Sequence, residues 1–170
     1  MQKNLIFGDK EATFLKELTR QKVDFMIVGL SAAALQGAPV VTQDVDLWFK
    51  DLTDPGIKKA LKKVGAAYVP PTGMNPPVFA GDAVHLFDIE IHMHGLGEFE
   101  KEKKHTLHIT LGRTRVMVLE LERIIKSKKA TGRQKDKVVL PVLSDALTAI
   151  RESGPPAGSG RCHNQSRYTR

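Results

Sequence analysis

Residues 25–49, FMIVGLSAAALQGAPVVTQDVDLWF, constrain this chain more than any other stretch. Phe25-Met26-Ile27-Val28 is an apolar run of strand length and composition. Gly29 follows at once, where a turn can bring backbone close to a ligand. Ser31-Ala32-Ala33-Ala34-Leu35 then favours helix, and Gly37 can end it. After a loop holding Pro39, Val45-Asp46-Leu47-Trp48-Phe49 is apolar except for one acid. A carboxylate inside such a strand is costly unless something pairs with it.

Asp44 and Asp46 lie two apart, so on a strand both point to one face. Their Cα atoms would stand roughly 7 Å apart, within reach of one shared ion. Like charges so placed raise one pKa unless a cation sits between them. Oxygen-only ligands with room for water and phosphate favour Mg²⁺ or Mn²⁺. The bland alternative is a strand-end pair of solvated aspartates. The alternation of the two acids with Val45 and Leu47 favours the ion site.

Glycine, small polar residue, helix and Asp-x-Asp on the next strand together resemble the nucleotidyltransferase superfamily of the DNA polymerase beta type. The resemblance is closest to its minimal stand-alone members and to the toxin-type nucleotidyltransferases. In the usual pattern a second Gly or a Ser directly follows the first Gly; here Gly29-Leu30-Ser31 displaces the small polar residue by one. The spacing from Gly37 through Pro39 and Thr42 to Asp44-Val45-Asp46 fits. A second resemblance runs from Ser127-Lys128 through Gly132-Arg133-Gln134-Lys135-Asp136, similar to a basic motif that precedes the final helix of toxin-type members.

The resemblance implies an α/β nucleotidyltransferase fold: a mixed β-sheet flanked by helices, with a C-terminal helical segment. It implies a Mg²⁺-dependent (or Mn²⁺-dependent) enzyme that moves a nucleoside monophosphate from an NTP to an acceptor hydroxyl. Asp44 and Asp46 would be metal ligands and catalytic. A third acid on a later apolar strand completes that set. Asp88 and Glu90 compete for the role, and Phe87-Asp88-Ile89 followed by Gly95-Leu96 favours Asp88. Gly29 and Ser31 would cradle phosphate, Lys128 would contact the triphosphate, and Arg133 or Lys135 would support it. Lysine is a compact charge for phosphate, and arginine offers a planar fork. Asp136 would hold one of these cations or cap the last helix.

The acceptor stays open among an RNA such as tRNA, a partner protein and a small molecule, in the setting of a toxin–antitoxin or phage-defence system. Two other functions compete. One is a non-catalytic nucleotide- or RNA-binding protein that retains the fold. The other is a nucleotide-sugar glycosyltransferase, which also uses Asp-x-Asp but normally places a larger nucleotide-binding unit before it.

At 170 residues, the expectation is one domain over residues 1–152 and a disordered, Gly-, Pro- and Ser-rich tail over 153–170. The composition, 41% hydrophobic and 26% charged, is globular. A net charge of +7 suits an anionic partner such as nucleotide or RNA, although lysine clusters on solvated helix faces carry much of it. With no transmembrane-length run, no signal-peptide pattern and a single cysteine, Cys162, the expected setting is the cytoplasm, with no membrane partner.

Elsewhere the pattern predicts a helix over residues 9–21 capped by Asp9 and a helix begun by Asp54-Pro55. It also predicts a short edge strand at Tyr68-Val69, a strand over 84–93, and a short exposed helix over 98–104. A hairpin over 106–119 and helices over 120–129 and 136–150 complete the set, the last bent at Pro141. His92 and His94 alternate, but no cysteine or second histidine pair completes a zinc pattern with them.

Overall fold

The computed structural model describes residues 7–153 and a two-residue strand at 160–161. Helix α1 (Asp9–Arg20) buries Phe14, Leu15 and Leu18 completely or nearly so. Its cap differs from expectation. Gly8 is the N-cap residue, and its carbonyl takes the first helical bond from Ala12 N at 3.0 Å. Asp9 is therefore already helical, and serves the positive end of the dipole from the first turn.

Strand β1 (Phe25–Val28) leads directly into α2 (Gly29–Leu35), and β2 (Val45–Phe49) returns antiparallel to β1 with Val28 opposite Asp46. Helix α3 (Pro55–Lys63) starts as predicted, with Gly56 N donating to the Asp54 carboxylate at 2.7 Å. The segments β3 (Ala67–Val69) and β4 (Val78–Ala80) pair with each other in a separate two-stranded sheet. Strand β5 (Phe87–Glu90) then lies parallel to β2.

Strand β5 is shorter than the predicted 84–93. Its ladder ends at the Trp48–Glu90 pair, next to the last residue of β2, and beyond it Ile91 is 66% exposed. The short helix α4 (Phe99–Glu102) is followed by one 3₁₀ turn at Lys103–His105. It is not the exposed helix expected. Phe99 packs edge-on against Trp48, with ring centres 5.5 Å apart, and Glu102 is buried.

The hairpin β6 (Thr106–Leu111) and β7 (Thr114–Leu119) joins the main sheet through a parallel β7–β1 pair, Ile27 opposite Val118. Helix α5 (Leu121–Thr131) ends at Gly132, whose φ of +62° is the left-handed stop that glycine supplies. Helix α6 (Gln134–Ser153) starts earlier than predicted and runs through Pro141. A two-residue strand β8 (Gly160–Arg161) pairs with β6, giving the sheet order β5-β2-β1-β7-β6-β8. The rest of the predicted tail lies outside the described residues.

The sheet is mixed and flanked by helices. On one face Phe87 meets Phe14 of α1, ring centres 5.3 Å apart. Strand alternation sends Asp46 and Asp88 to the opposite face, because Phe87 and Val45 pair one residue before them. Gln36 fixes the position of α5 on that side. Its amide nitrogen donates to the carbonyls of Ala32 and Leu119, and its oxygen accepts from Leu121 N, each at 2.9 Å. One buried side chain thus ties the end of α2, the end of β7 and the first N–H of α5.

Candidate active site

The polar end of the sheet is built by register. Asp46 on β2 and Asp88 on β5 are direct parallel partners, and Glu90 lies two residues beyond Asp88 on the same face. Asp44 sits two residues before Asp46, in the exposed approach to β2. Burial and the charges of Glu90, Asp88 and Asp44 push the Asp46 carboxyl up to about 6, against a smaller opposing pull from Lys128. Burial and then Asp44 raise Asp88. Burial and then Asp88 raise Glu90, while Arg133, His94 and Lys128 draw it back. Four acids therefore share one electrostatic site.

Gly29 abuts this group. Its φ is +67°, and a Cβ there would collide with Oδ2 of Asp46. The glycine is required twice over, by its backbone and by the neighbouring carboxylate. Gly29, Asp46 and Glu90 line one side of a cleft of about 80 Å³. Lys128, Thr131 and Arg133 line the other, and His92 and His94 also border it.

The two cations are anchored by Asp136, which is 1% exposed. Its carboxylate accepts from Lys128 Nζ at 2.9 Å, Thr131 Oγ1 at 2.7 Å and Arg133 Nε at 2.8 Å. Burial alone would raise this carboxyl, but the hydrogen bonds from Lys128, Thr131 and Arg133 hold it well below the usual range. An ammonium has three donors, so Lys128 keeps two beyond the Asp136 bond. Arg133 binds through Nε and keeps its terminal N–H groups.

The structure thus brings together Gly29, Asp46, Lys128 and Arg133, with Asp44 and Asp88 coupled to them by charge. It does not bring in two residues expected there. Ser31 is fully buried and donates to Val28 O at 2.9 Å, a local helix-start bond, and it does not line the cleft. Lys135 is exposed on the first turn of α6 and does not line the cleft. Glu90, the second choice for a third acid, lines the cleft beside Asp46, whereas Asp88 borders the pair from the open side.

Hard oxygen donors with excess negative charge suit Mg²⁺ or Mn²⁺ in type, and such an ion would offset the burial and like-charge repulsion that together raise Asp46. Among the described residues, no three His, Cys, Asp or Glu side chains are already drawn into a coordinating group.

No family model and no curated protein sequence matches the chain. Solved structures do. The crystal structure of ANT(2″)-Ia in complex with adenylyl-2″-tobramycin aligns with a TM-score of 0.56 at 14% identity, over 84% of this chain and 90% of that one. The chain has the nucleotidyltransferase fold. A candidate nucleotidyltransferase from Thermotoga maritima aligns with a TM-score of 0.55 at 16% identity, covering 84% and 91%. An antigenic nucleotidyltransferase-like protein from Paracoccidioides brasiliensis gives 0.54 at 16% identity, covering 82% and 75%. This nucleotidyltransferase fold agrees with the one implied by residues 25–49.

Sequence reading missed the residues that organise the site from outside it. Gln36 is one. Glu102 is another: it accepts two hydrogen bonds from Arg123 of α5, at 2.6 and 2.7 Å, and one from Gly97 N at 2.9 Å. Neither has a local signature, because their partners are far away in the chain. The placement of His92 and His94 beside the cleft had one visible signal, their alternation with Glu90.

Proposed function

We propose that the protein is a Mg²⁺-dependent (or Mn²⁺-dependent) nucleotidyltransferase that moves a nucleoside monophosphate from an NTP to an acceptor hydroxyl. One observation carries this reading. Asp46 and Glu90 face two Asp136-anchored cations across a cleft that Gly29 also lines, and Asp88 stands in register beside Asp46. Neither half alone suits a triphosphate with its cation; together they do.

Asp44, Asp46 and Asp88 would hold the ion. When bound, it supplies Lewis-acid charge at the reacting phosphate. Lys128 and Arg133 bind the phosphate chain and offset the negative charge that collects on the leaving pyrophosphate. Asp136 keeps both cations in place before substrate arrives, so little reorganisation is needed at the moment of reaction. Gly29 lets backbone approach the phosphate where a side chain would obstruct it. Asp88, the more open of the two β5 acids, would accept the proton of an incoming hydroxyl, a reading its exposure supports.

The cleft is small beside the roughly 300–1,000 Å³ of pockets that enclose drug-sized ligands. It suits the phosphate end, with nucleoside and acceptor on open surface. The ANT(2″)-Ia complex holds an adenylylated small molecule. For this chain an RNA, a partner protein and a small molecule are all acceptors that such an open site admits, including in a toxin–antitoxin or phage-defence pair.

A non-catalytic nucleotide-binding role is the second reading, favoured by Ser31, whose hydroxyl is committed to Val28 O. Incubation with each α-labelled NTP, Mg²⁺ and a cell extract separates the two. Label transferred to RNA, protein or small molecule by the native chain, but not by Asp46→Asn, supports the enzyme. Tight NTP binding with no transferred label supports the second reading.

A further inference from the structure

His92 and His94 lie just beyond β5, where the ladder has ended. Met93 between them is buried, while both imidazoles are exposed. The two exposed rings therefore lie on either side of the inward Met93, in a loop that bends at Ile91 and turns at His94. The ring centres are 5.4 Å apart and the planes meet at 80°. Two imidazoles bound to one tetrahedral ion, with bonds of about 2.0–2.1 Å, place their ring centres about 5 Å apart. The observed spacing of the ring centres is close to that of a shared ion, which rotation of the two side chains would complete by turning one nitrogen of each ring toward it. Both rings border the cleft beside Glu90 and Asp46, whose carboxylates attract a cation, while Lys128 and Arg133 on the facing wall oppose it in part.

We propose that His92 and His94 form a two-imidazole chelate for a borderline divalent cation of the Zn²⁺ type, distinct from the carboxylate site. Imidazole is a ligand for Zn²⁺, Cu²⁺ and Ni²⁺, whereas Mg²⁺ prefers oxygen, so the two sites separate by ligand chemistry. Two protein ligands leave the remaining positions to water. Such a site is weaker than a closed structural one and is reversible, as a regulatory site must be. An ion there sits at the rim of the cleft beside Glu90 and adds positive charge where the carboxylates would hold their own cation. Zn²⁺ therefore inhibits transfer; this consequence, unlike the binding itself, rests on the nucleotidyltransferase reading.

The test is calorimetric titration of the full chain with Zn²⁺ in the presence of excess Mg²⁺, which already serves the oxygen ligands. The native chain should bind one Zn²⁺. His92→Gln and His94→Gln should each weaken it at least about 10-fold, a loss that even an outer-shell partner of a metal can bring. Two controls guard the assignment. Cys162→Ser with His163→Gln removes the other adjacent thiol and imidazole and should leave the affinity unchanged. Asp46→Asn should change it by no more than about threefold, a screened charge effect. Full Zn²⁺ binding by the His92→Gln/His94→Gln double variant, its loss in either control, or no binding by the native chain would overturn the proposal. Binding is read without any transfer assay, so failure of the enzyme reading leaves this result standing.

Discussion

Gly29 and Asp46 touch so closely that no side chain fits at position 29. The contact joins the strand–helix turn to the acid that the turn serves. Gly29→Ala should therefore cost about 2–4 kcal/mol, combining backbone strain at positive φ with displacement of a carboxylate. Gly37 supplies the control: its φ is +95°, but nothing lies within 4 Å of a Cβ there. Gly37→Ala should bear only the backbone cost of about 1–2 kcal/mol and keep nucleotide transfer. Urea unfolding of both variants, with a transfer assay, checks this. Equal losses of stability would show that the Asp46 contact yields freely.

Asp46 should limit the stability of the metal-free protein. Its carboxyl is raised from an ordinary 3.8 to about 6 by burial and then by Glu90 and Asp88. Between those values the folded state holds a proton that the unfolded state has released. The favourable contribution is present in full below pH 4 and is lost as pH rises through 6. In EDTA at pH 7.5, Asp46→Asn should thus be more stable than the native chain by about 1–2 kcal/mol, after allowing for partial solvent screening. The advantage should vanish near pH 3.5. The same variant should lose NMP transfer by orders of magnitude, since a metal ligand is gone. A variant less stable than native at pH 7.5 would show that the carboxylate has a favourable partner instead.

The parts legible in the sequence were those whose cause is local. The alternation Val45-Asp46-Leu47 set the faces of β2, Asp54-Pro55 set the start of α3, and Gly132 set the end of α5. The choice of Asp88 over Glu90 comes from the resemblance of Phe87-Asp88-Ile89 to the family motif, not from the strand pattern, which both acids share. What stayed hidden depended on distance in the chain. The bond from the Ser31 hydroxyl to Val28 O has no mark in the sequence, because it depends on how α2 starts. The length of β5 depended on where β2 stops, which no pattern in residues 84–93 records. Asp136 was legible as a holder of cations, but not as the holder of both Lys128 and Arg133 together.

Glu102 and Arg123 should behave as one unit. Glu102 is 2% exposed and accepts both guanidinium bonds, so without Arg123 it would be a buried, uncompensated charge. Arg123→Ala should destabilise by about 3–5 kcal/mol. Replacing both, as Glu102→Leu with Arg123→Met, should recover much of that loss, because an ion pair roughly breaks even against apolar groups of similar size. Recovery will be incomplete, since Gly97 N loses its acceptor, at about 1–3 kcal/mol. Denaturant midpoints for the two variants provide the comparison. Identical stability of Arg123→Ala and the native chain would mean that solvent enters and satisfies Glu102.

Lys128 has two duties, and they can be separated. It bonds to buried Asp136, and it lines the cleft with donors to spare. Lys128→Ala should weaken NTP binding by about 1–3 kcal/mol, the range for a charge-assisted hydrogen bond. Lys62, exposed near the end of α3, is the matched control, because Lys62→Ala removes the same charge far from the cleft. A general electrostatic pull would make the two variants alike and strongly salt-dependent. A direct phosphate contact makes them differ at both low and high salt. Asp136→Asn completes the comparison. It keeps the Lys128 charge but removes its anchor, so it should lower affinity less than Lys128→Ala while lowering stability more, because buried Asp136 organises three donors. Nucleotide titrations at two salt concentrations, beside unfolding curves, resolve the two duties. Equal NTP affinities for Lys128→Ala, Lys62→Ala and the native chain would reduce Lys128 to a structural partner of Asp136 and remove the phosphate-binding half of the proposed site.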